Sequence, residues 1–212
     1  QNPALLSSGS NNTIHFDFLT YMRGCKAGAA GFTRYSGERG QWGVHTQFVG
    51  YGSMQETSES GEVLGTTGAL DLCVSGMYSY NLTDCLAGGA TGKFIYSKYA
   101  GYNSVALAVD LGLNYFDEDR DVSFSAVAAN LGGQVKAFGD DHERLPFNLQ
   151  LGFSKGIAHA PIRIHVTMTD LTRWSKNYYF HTGDKIGAGR ILMNHFCLGV
   201  DATPSDNFYL AV

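Results

Sequence analysis

Charge is scarce in this 212-residue chain: Asp, Glu, Lys and Arg make up 16% of it, where about a quarter is usual. The net charge of −4 and the scatter of Lys and Arg leave no basic stripe, which argues against a nucleic-acid partner. No run of about 20 apolar residues occurs, so a transmembrane helix is excluded, but strands of about ten residues are not. No linker rich in Pro, Gly or Ser divides the chain, and a single domain over residues 1–212 is expected. The four cysteines, Cys25, Cys73, Cys85 and Cys197, show neither CxxC spacing nor a companion His pair, so a zinc site is not expected. They read as free, small space-fillers. There is no Gly-x-Ser-x-Gly elbow, and the seven histidines are dispersed. No catalytic, cofactor-binding or metal-binding residues are therefore assigned, and the chain is expected not to be an enzyme.

What is abundant is alternation. Val105, Leu107, Val109, Leu111, Leu113 and Tyr115 are large and apolar, and Ala106, Ala108, Asp110, Gly112 and Asn114 lie between them. That is a strand with one apolar face and one small or polar face. The pattern returns in Phe147, Leu149, Leu151 and Phe153, in Ile162, Ile164, Val166 and Met168, and in Phe196, Leu198, Val200 and Ala202. In a soluble sandwich the second face meets water and is rich in Lys, Glu and Arg. Here it holds Ser104, Asn148, Gln150, Gly152, Ser154, Cys197, Gly199 and Asp201. Small uncharged side chains suit a confined polar interior and large bare ones suit lipid, so the expected fold class is all-β, an antiparallel transmembrane β-barrel.

Eleven strands are expected: 14–21, 27–35, 41–51, 69–80, 86–97, 103–116, 122–130, 146–155, 162–170, 195–202 and 207 onward. After the second, fourth, sixth, eighth and tenth come short turns rich in Gly, Asp, Asn, Pro or Ser, whereas the long connections 52–68, 131–145 and 171–194 all follow odd-numbered strands. A meander threaded through a membrane sorts its loops in this way. Gln1-Asn2-Pro3-Ala4 is neither a start methionine nor a signal sequence, and Phe208, Leu210 and Val212 alternate to the last residue. Truncation at both ends is the expectation.

Leu-Gly recurs at Leu111-Gly112, Leu151-Gly152 and Leu198-Gly199 at the same stage of alternate strands, with glycine on the inner face. Tyr78, Tyr80, Tyr96, Tyr99, Tyr102, Tyr115, Tyr178 and Tyr179 lie near strand ends or loops, either as girdles at the two membrane rims or through ordinary strand propensity. His15, Asp17, Lys93, Asp110, Arg163, His165 and Asp201 are expected to face the interior, where pairing with one another is favoured over catalysis. The most loaded connection carries Arg173, Trp174, Lys176, Asn177, Tyr178, Tyr179, Phe180 and His181. Aromatic groups beside cations serve as interface anchors, so Arg173, Trp174, Lys176, Tyr178 and Tyr179 are the candidate partner-binding residues. The alternative is a loop folded into the barrel mouth.

Several segments are together similar to a known family. Asn2-Pro3-Ala4, Lys93-Phe94-Ile95-Tyr96-Ser97, Ala106 to Leu113, Asn130-Leu131-Gly132-Gly133-Gln134, and Leu145-Pro146-Phe147 leading into Leu149-Gln150-Leu151-Gly152 resemble the PorV/PorQ family of FadL-like outer-membrane barrels. Ala158 to Arg163 and Asp170 to Trp174 resemble its PorQ branch in particular. The resemblance implies a fourteen-stranded barrel of which about 11 strands are present, with residues 1–12 ending an N-terminal plug and 13–212 forming wall strands. It implies a non-enzymatic component of the type IX secretion system in the outer membrane of a Gram-negative bacterium. The implied partners are membrane lipid, a PorZ-like surface protein, a sortase and PorV. FadL-like character also implies an alternative, a transporter of long-chain fatty acids or other hydrophobic compounds. A third class, a lipid-modifying enzyme, would announce itself by a changed lipid A mass.

Overall fold

A computed structural model describes residues 2–6, 11–139, 142–158, 160–174, 187–205 and 208–211, with only the backbone of 204, 205, 208 and 209. Its strands are β1 (Thr13–Thr20), β2 (Lys26–Ser36), β3 (Gly40–Thr57), β4 (Val63–Asn81), β5 (Leu86–Tyr99), β6 (Tyr102–Asp117), β7 (Val122–Lys136), β8 (Asn148–Gly156), β9 (Ile162–Met168), β10 (Phe196–Ser205) and β11 (Phe208–Ala211). They form one 11-stranded antiparallel sheet in which every strand pairs with its neighbours in sequence. Among the described residues β1 and β11 have no further partner, so the sheet is open. Three-residue 3-10 turns stand at Pro3–Leu5 and Met22–Gly24, and one short helix, α1 (Ala188–Met193), precedes β10.

The two faces of the sheet differ as the alternation predicts. In β6, Leu107 is 50% exposed and Leu111 48%, while Ala108 is 4% and Asp110 5%. The same inversion runs through the register: Ser75, Ser79, Thr91, Ser104 and Asn114 are buried, and Val44, Phe48, Val74, Phe94, Leu151, Ile164 and Leu198 are exposed. One cavity is lined by Tyr35, Gln41, Ser79, Asn114, Gln150 and His165, from six different strands, so the sheet curls with its small and polar face inward.

Turn chemistry explains the hairpins. Ala100 and Gly101 both have positive φ, 47° and 86°, as a two-residue turn joining twisted strands requires. It brings Tyr99 opposite Tyr102 at the rim. At the other end of the strands, 37–39, 82–85, 118–121 and 157–161 are short connections, in keeping with the parity of the loops.

Two of the long connections are shorter than expected because strand continues into them. β3 and β4 pair from Ser53↔Gly68 to Thr57↔Val63, beyond the last β2 and β5 pairings at Lys26↔Gly50 and Ala69↔Tyr99. This two-stranded ribbon has solvent on both faces, so its side chains have no reason to alternate. A bulge between Gly50 and Ser53 starts it, with Gly52 at φ 75° and no room for a Cβ, which would lie 2.7 Å from Arg23 O. β7 likewise runs on to Lys136, past a register shift opposite Asp110 where Asn130 takes φ 61°. The bulge resets the period of two, which is why the pattern in the sequence stops at Asn130.

Candidate functional site

The inner face is organised by ion pairs and hydrogen bonds across strands. Lys93 Nζ lies 2.5 Å from Asp110 Oδ2, with the two side chains 23% and 6% exposed. In register Lys93 faces Ala108, so the pair is diagonal across β5 and β6. At the β7 bulge the other Asp110 oxygen accepts the Asn130 backbone N–H at 2.8 Å, and Lys93 donates to Asn130 Oδ1 at 3.2 Å. Asn130 Nδ2 donates in turn to Pro146 O, tying the chain that enters β8. Asp110 thus satisfies a donor that the bulge removes from the ladder.

A second group lies nearer the short turns. His165 Nε2 is 2.7 Å from Asp201 Oδ2, and Arg163 pairs with Asp121. Ser123 and Ser125 both donate to Asn114 Oδ1, at 2.9 and 2.6 Å. His15 and His45 stack across Gly31 with ring centroids 5.7 Å apart. The seven ionisable residues assigned to the interior therefore share one face, and Lys93, Asp110, Arg163, His165 and Asp201 are paired. Asp121 and Asn130 were not legible as their partners, because such contacts depend on register. Cys25, Cys73, Cys85 and Cys197 are free thiols. Among the described residues no three His, Cys, Asp or Glu side chains converge as metal ligands would.

The turn Pro3–Leu5 sits on this inner face. Asn2 Oδ1 accepts the Ala4 N–H at 2.9 Å, Asn2 Nδ2 donates to Leu113 O at 3.1 Å, and Ser79 Oγ donates to Ala4 O at 3.3 Å. Its seat is the register pair Gly89↔Gly112 on β5 and β6. A Cβ on Gly89 would lie 2.5 Å from Pro3 C, and one on Gly112 would collide with Asn2 Oδ1 and approach Pro3 Cδ to 2.8 Å. The glycine of the first Leu-Gly pair is there to admit the Asn2-Pro3-Ala4 turn. Gly112→Ala is expected to unseat it at a cost of about 1–3 kcal/mol. Hydrogen exchange at the Ala4 amide reports the loss, while the β5–β6 amides stay protected. Beyond the turn, the cavity of about 1140 Å³ holds Gln41, Asn114, Ser125, Arg163 and His165 on its walls.

Of the candidate partner-binding residues, Arg173 and Trp174 are described, while Lys176, Tyr178 and Tyr179 lie outside the described residues. The segment 169–174 is tied to the rim opposite the short turns. Leu171 N donates to Leu149 O at 3.1 Å, Asp170 N to Asn148 Oδ1 at 2.9 Å, and Thr172 Oγ1 to Phe147 O at 3.3 Å. The Trp174 indole donates to Leu171 O at 2.6 Å and lies over His195 with centroids 4.1 Å apart, leaving Trp174 46% exposed. His195 is fully buried, and its Nδ1 donates to Thr169 O at 2.8 Å. That histidine, 21 residues away in the chain, is what holds Trp174 in place, and no spacing rule announces it. The described part of the loop is therefore fixed on the rim with one indole face presented outward.

An antiparallel meander with an inverted distribution of apolar side chains and a curled, polar inner face is the class of protein that the structure defines. No family model matches the chain, and no curated protein matches it in sequence.

Proposed function

We propose that this chain forms most of the wall of an outer-membrane β-barrel of the PorV/PorQ type, a non-enzymatic component of the type IX secretion system that anchors surface partners. The observation that carries the membrane part is the outer face. From Val105 to Tyr115 its β6 positions are apolar, and ten residue steps on a strand tilted by ~45° rise roughly 24 Å, close to the ~25 Å apolar band of such barrels. Among the described residues, outward charges stand toward the ends of their own strands, although Arg34 shares a register row with Trp42, Tyr78, Ala90 and Leu111. Lys26, Lys98 and Lys136 mark one rim, and Arg34, Asp117 and Lys155 mark the other. Exposed aromatic rings join the second set on the outer face, Trp42, Tyr78, Tyr80 and Tyr115, whereas Tyr51, Tyr99 and Tyr102 at the first rim share the face of Asp71 and Ser104. The outward rings support a girdle at that one end over mere strand propensity. A closed wall requires pairing partners for β1 and β11.

The anchoring role draws on the resemblance in the sequence and on the rigid Trp174 at the rim. Aromatic anchors held by a second residue lose little entropy on binding and are favoured as hot spots. Deleting the gene is expected to release a PorZ-like surface protein into the medium, and Trp174→Ala to release a large part of it while leaving the barrel inserted. Retention of that protein at the surface of the deletion strain would overturn the anchoring role. The second reading, a transporter of long-chain fatty acids, is favoured by the cavity of about 1140 Å³. Its lining is mixed, with Gln41, Asn114, Arg163 and His165 among Leu86, Leu151 and Phe153, and offers no continuous apolar path for an acyl chain. Uptake of labelled fatty acid by vesicles carrying the protein would revive it.

A further inference from the structure

On the outer face, β7 carries Ala126 and Ala128 opposite Leu113 and Leu111 of β6 and opposite Leu151 and Leu149 of β8. A small residue flanked by large ones leaves a furrow. It measures about 340 Å³ and is lined by Leu86, Leu113, Tyr115, Leu151, Val166 and Met168, with Ala126 beneath. That volume falls at the small end of ligand pockets, roughly 300–1,000 Å³. At its end nearer the short turns stand Phe124 and Phe153, rings 5.0 Å apart and tilted by 47°.

The rim beyond those rings is charged in both senses. Lys155, two residues past Phe153, is exposed and donates through Nζ to Arg120 O at 2.7 Å. The Arg120 side chain is largely exposed, with its Nε 3.9 Å from Asp117. Glu118 and Asp119 are exposed in the same turn, and Asp121 is engaged by Arg163. The nearby groups are thus two available cations among carboxylates. A purely anionic headgroup meets repulsion there, whereas a phosphate bearing a nearby ammonium meets both of its complements.

The geometry points to a binding site for one zwitterionic phospholipid of the phosphatidylethanolamine class. Its acyl chain lies in the furrow over Ala126, its phosphate on Lys155 and Arg120, and its ammonium toward Glu118 and Asp119. Within a bilayer there is no hydrophobic gain in exchanging one apolar contact for another, so selectivity comes from dispersion packing in the furrow and from the headgroup. The site rests on the outer face being lipid-facing.

The test is native mass spectrometry of the whole protein from detergent micelles supplied with phosphatidylethanolamine or phosphatidylglycerol, with Ala126→Phe, Ala126→Leu and Lys155→Gln as variants. The expected result is one retained phosphatidylethanolamine, with phosphatidylglycerol held about tenfold less, and an about tenfold loss in Lys155→Gln, the equivalent of about 1.4 kcal/mol. Both Ala126 variants lose the lipid, and Ala126→Leu serves if circular dichroism shows that Ala126→Phe has lost its sheet. Equal retention of the two lipids by all the folded proteins overturns the site. Flotation of the wild type with phospholipid vesicles separates the two failures. A protein that floats without discriminating loses only this site, and one that does not float loses the membrane reading as well.

Discussion

Leu111→Arg is expected to abolish or severely slow assembly into a bilayer, at a cost of about 2–4 kcal/mol for a cation at the middle of the apolar band. The position makes the result diagnostic. Leu111 is 48% exposed and lies on the outer face between Val109 and Leu113. On a water-facing surface the same change falls within about ±0.5 kcal/mol, since an exposed Leu loses little there and Arg is at home. Folding yield into phospholipid vesicles, read by protection from protease and by urea titration, separates the two cases. Lys155, on the same face but at the rim, provides the internal control. Lys155→Arg should assemble as the wild type does, because long cations at that depth reach the interface.

Asp110→Ala is expected to destabilise the sheet by about 3–5 kcal/mol, because it leaves the Lys93 ammonium largely buried without its counter-charge. It also strips the acceptor from the Asn130 N–H at the β7 bulge. The double variant Lys93→Met with Asp110→Leu removes both charges and should recover a substantial part of the loss. The recovery stays incomplete, since the bulge amide is still unsatisfied. Asp110→Asn keeps an acceptor for that amide and should fall between the two. Equilibrium urea unfolding from vesicles measures these proteins together with the single variants Lys93→Met and Asp110→Leu. Additive effects of the two single changes would contradict a coupled pair.

The strands of this fold were legible wherever one face is uniformly large. Ile162, Ile164, Val166 and Met168 mark β9, and Val105 to Tyr115 mark β6, with their limits in the structure within a few residues of the pattern. The 52–57 and 63–68 segments were not, because a ribbon wet on both faces carries no periodic signal, and neither was β7 beyond Asn130, where a bulge shifts the phase. The inner-face set was readable as a set, since inward position follows from parity. Its pairings were not, because Lys93 with Asp110 and His165 with Asp201 are diagonal contacts that exist only once the register is known. Gly112 stood out as part of a repeat. Its purpose required the Asn2-Pro3-Ala4 turn to be seen lying upon it. Arg173 and Trp174 were picked out by composition alone, yet the group that makes Trp174 rigid is His195, buried at the start of β10.

On the proposed topology the outer face of this sheet meets lipid and the inner face does not. A spin-label scan from Ser104 to Phe116 of β6, one position at a time in phospholipid vesicles, reads both faces of a single strand. Labels at Val105, Leu107, Val109, Leu111 and Leu113 are expected to collide with oxygen, most strongly near Val109, and to be shielded from a water-soluble nickel complex. Ala106 and Ala108 should collide weakly with both. Nickel accessibility at Leu107, Val109 and Leu111 equal to that of a surface site in water would contradict the proposed topology.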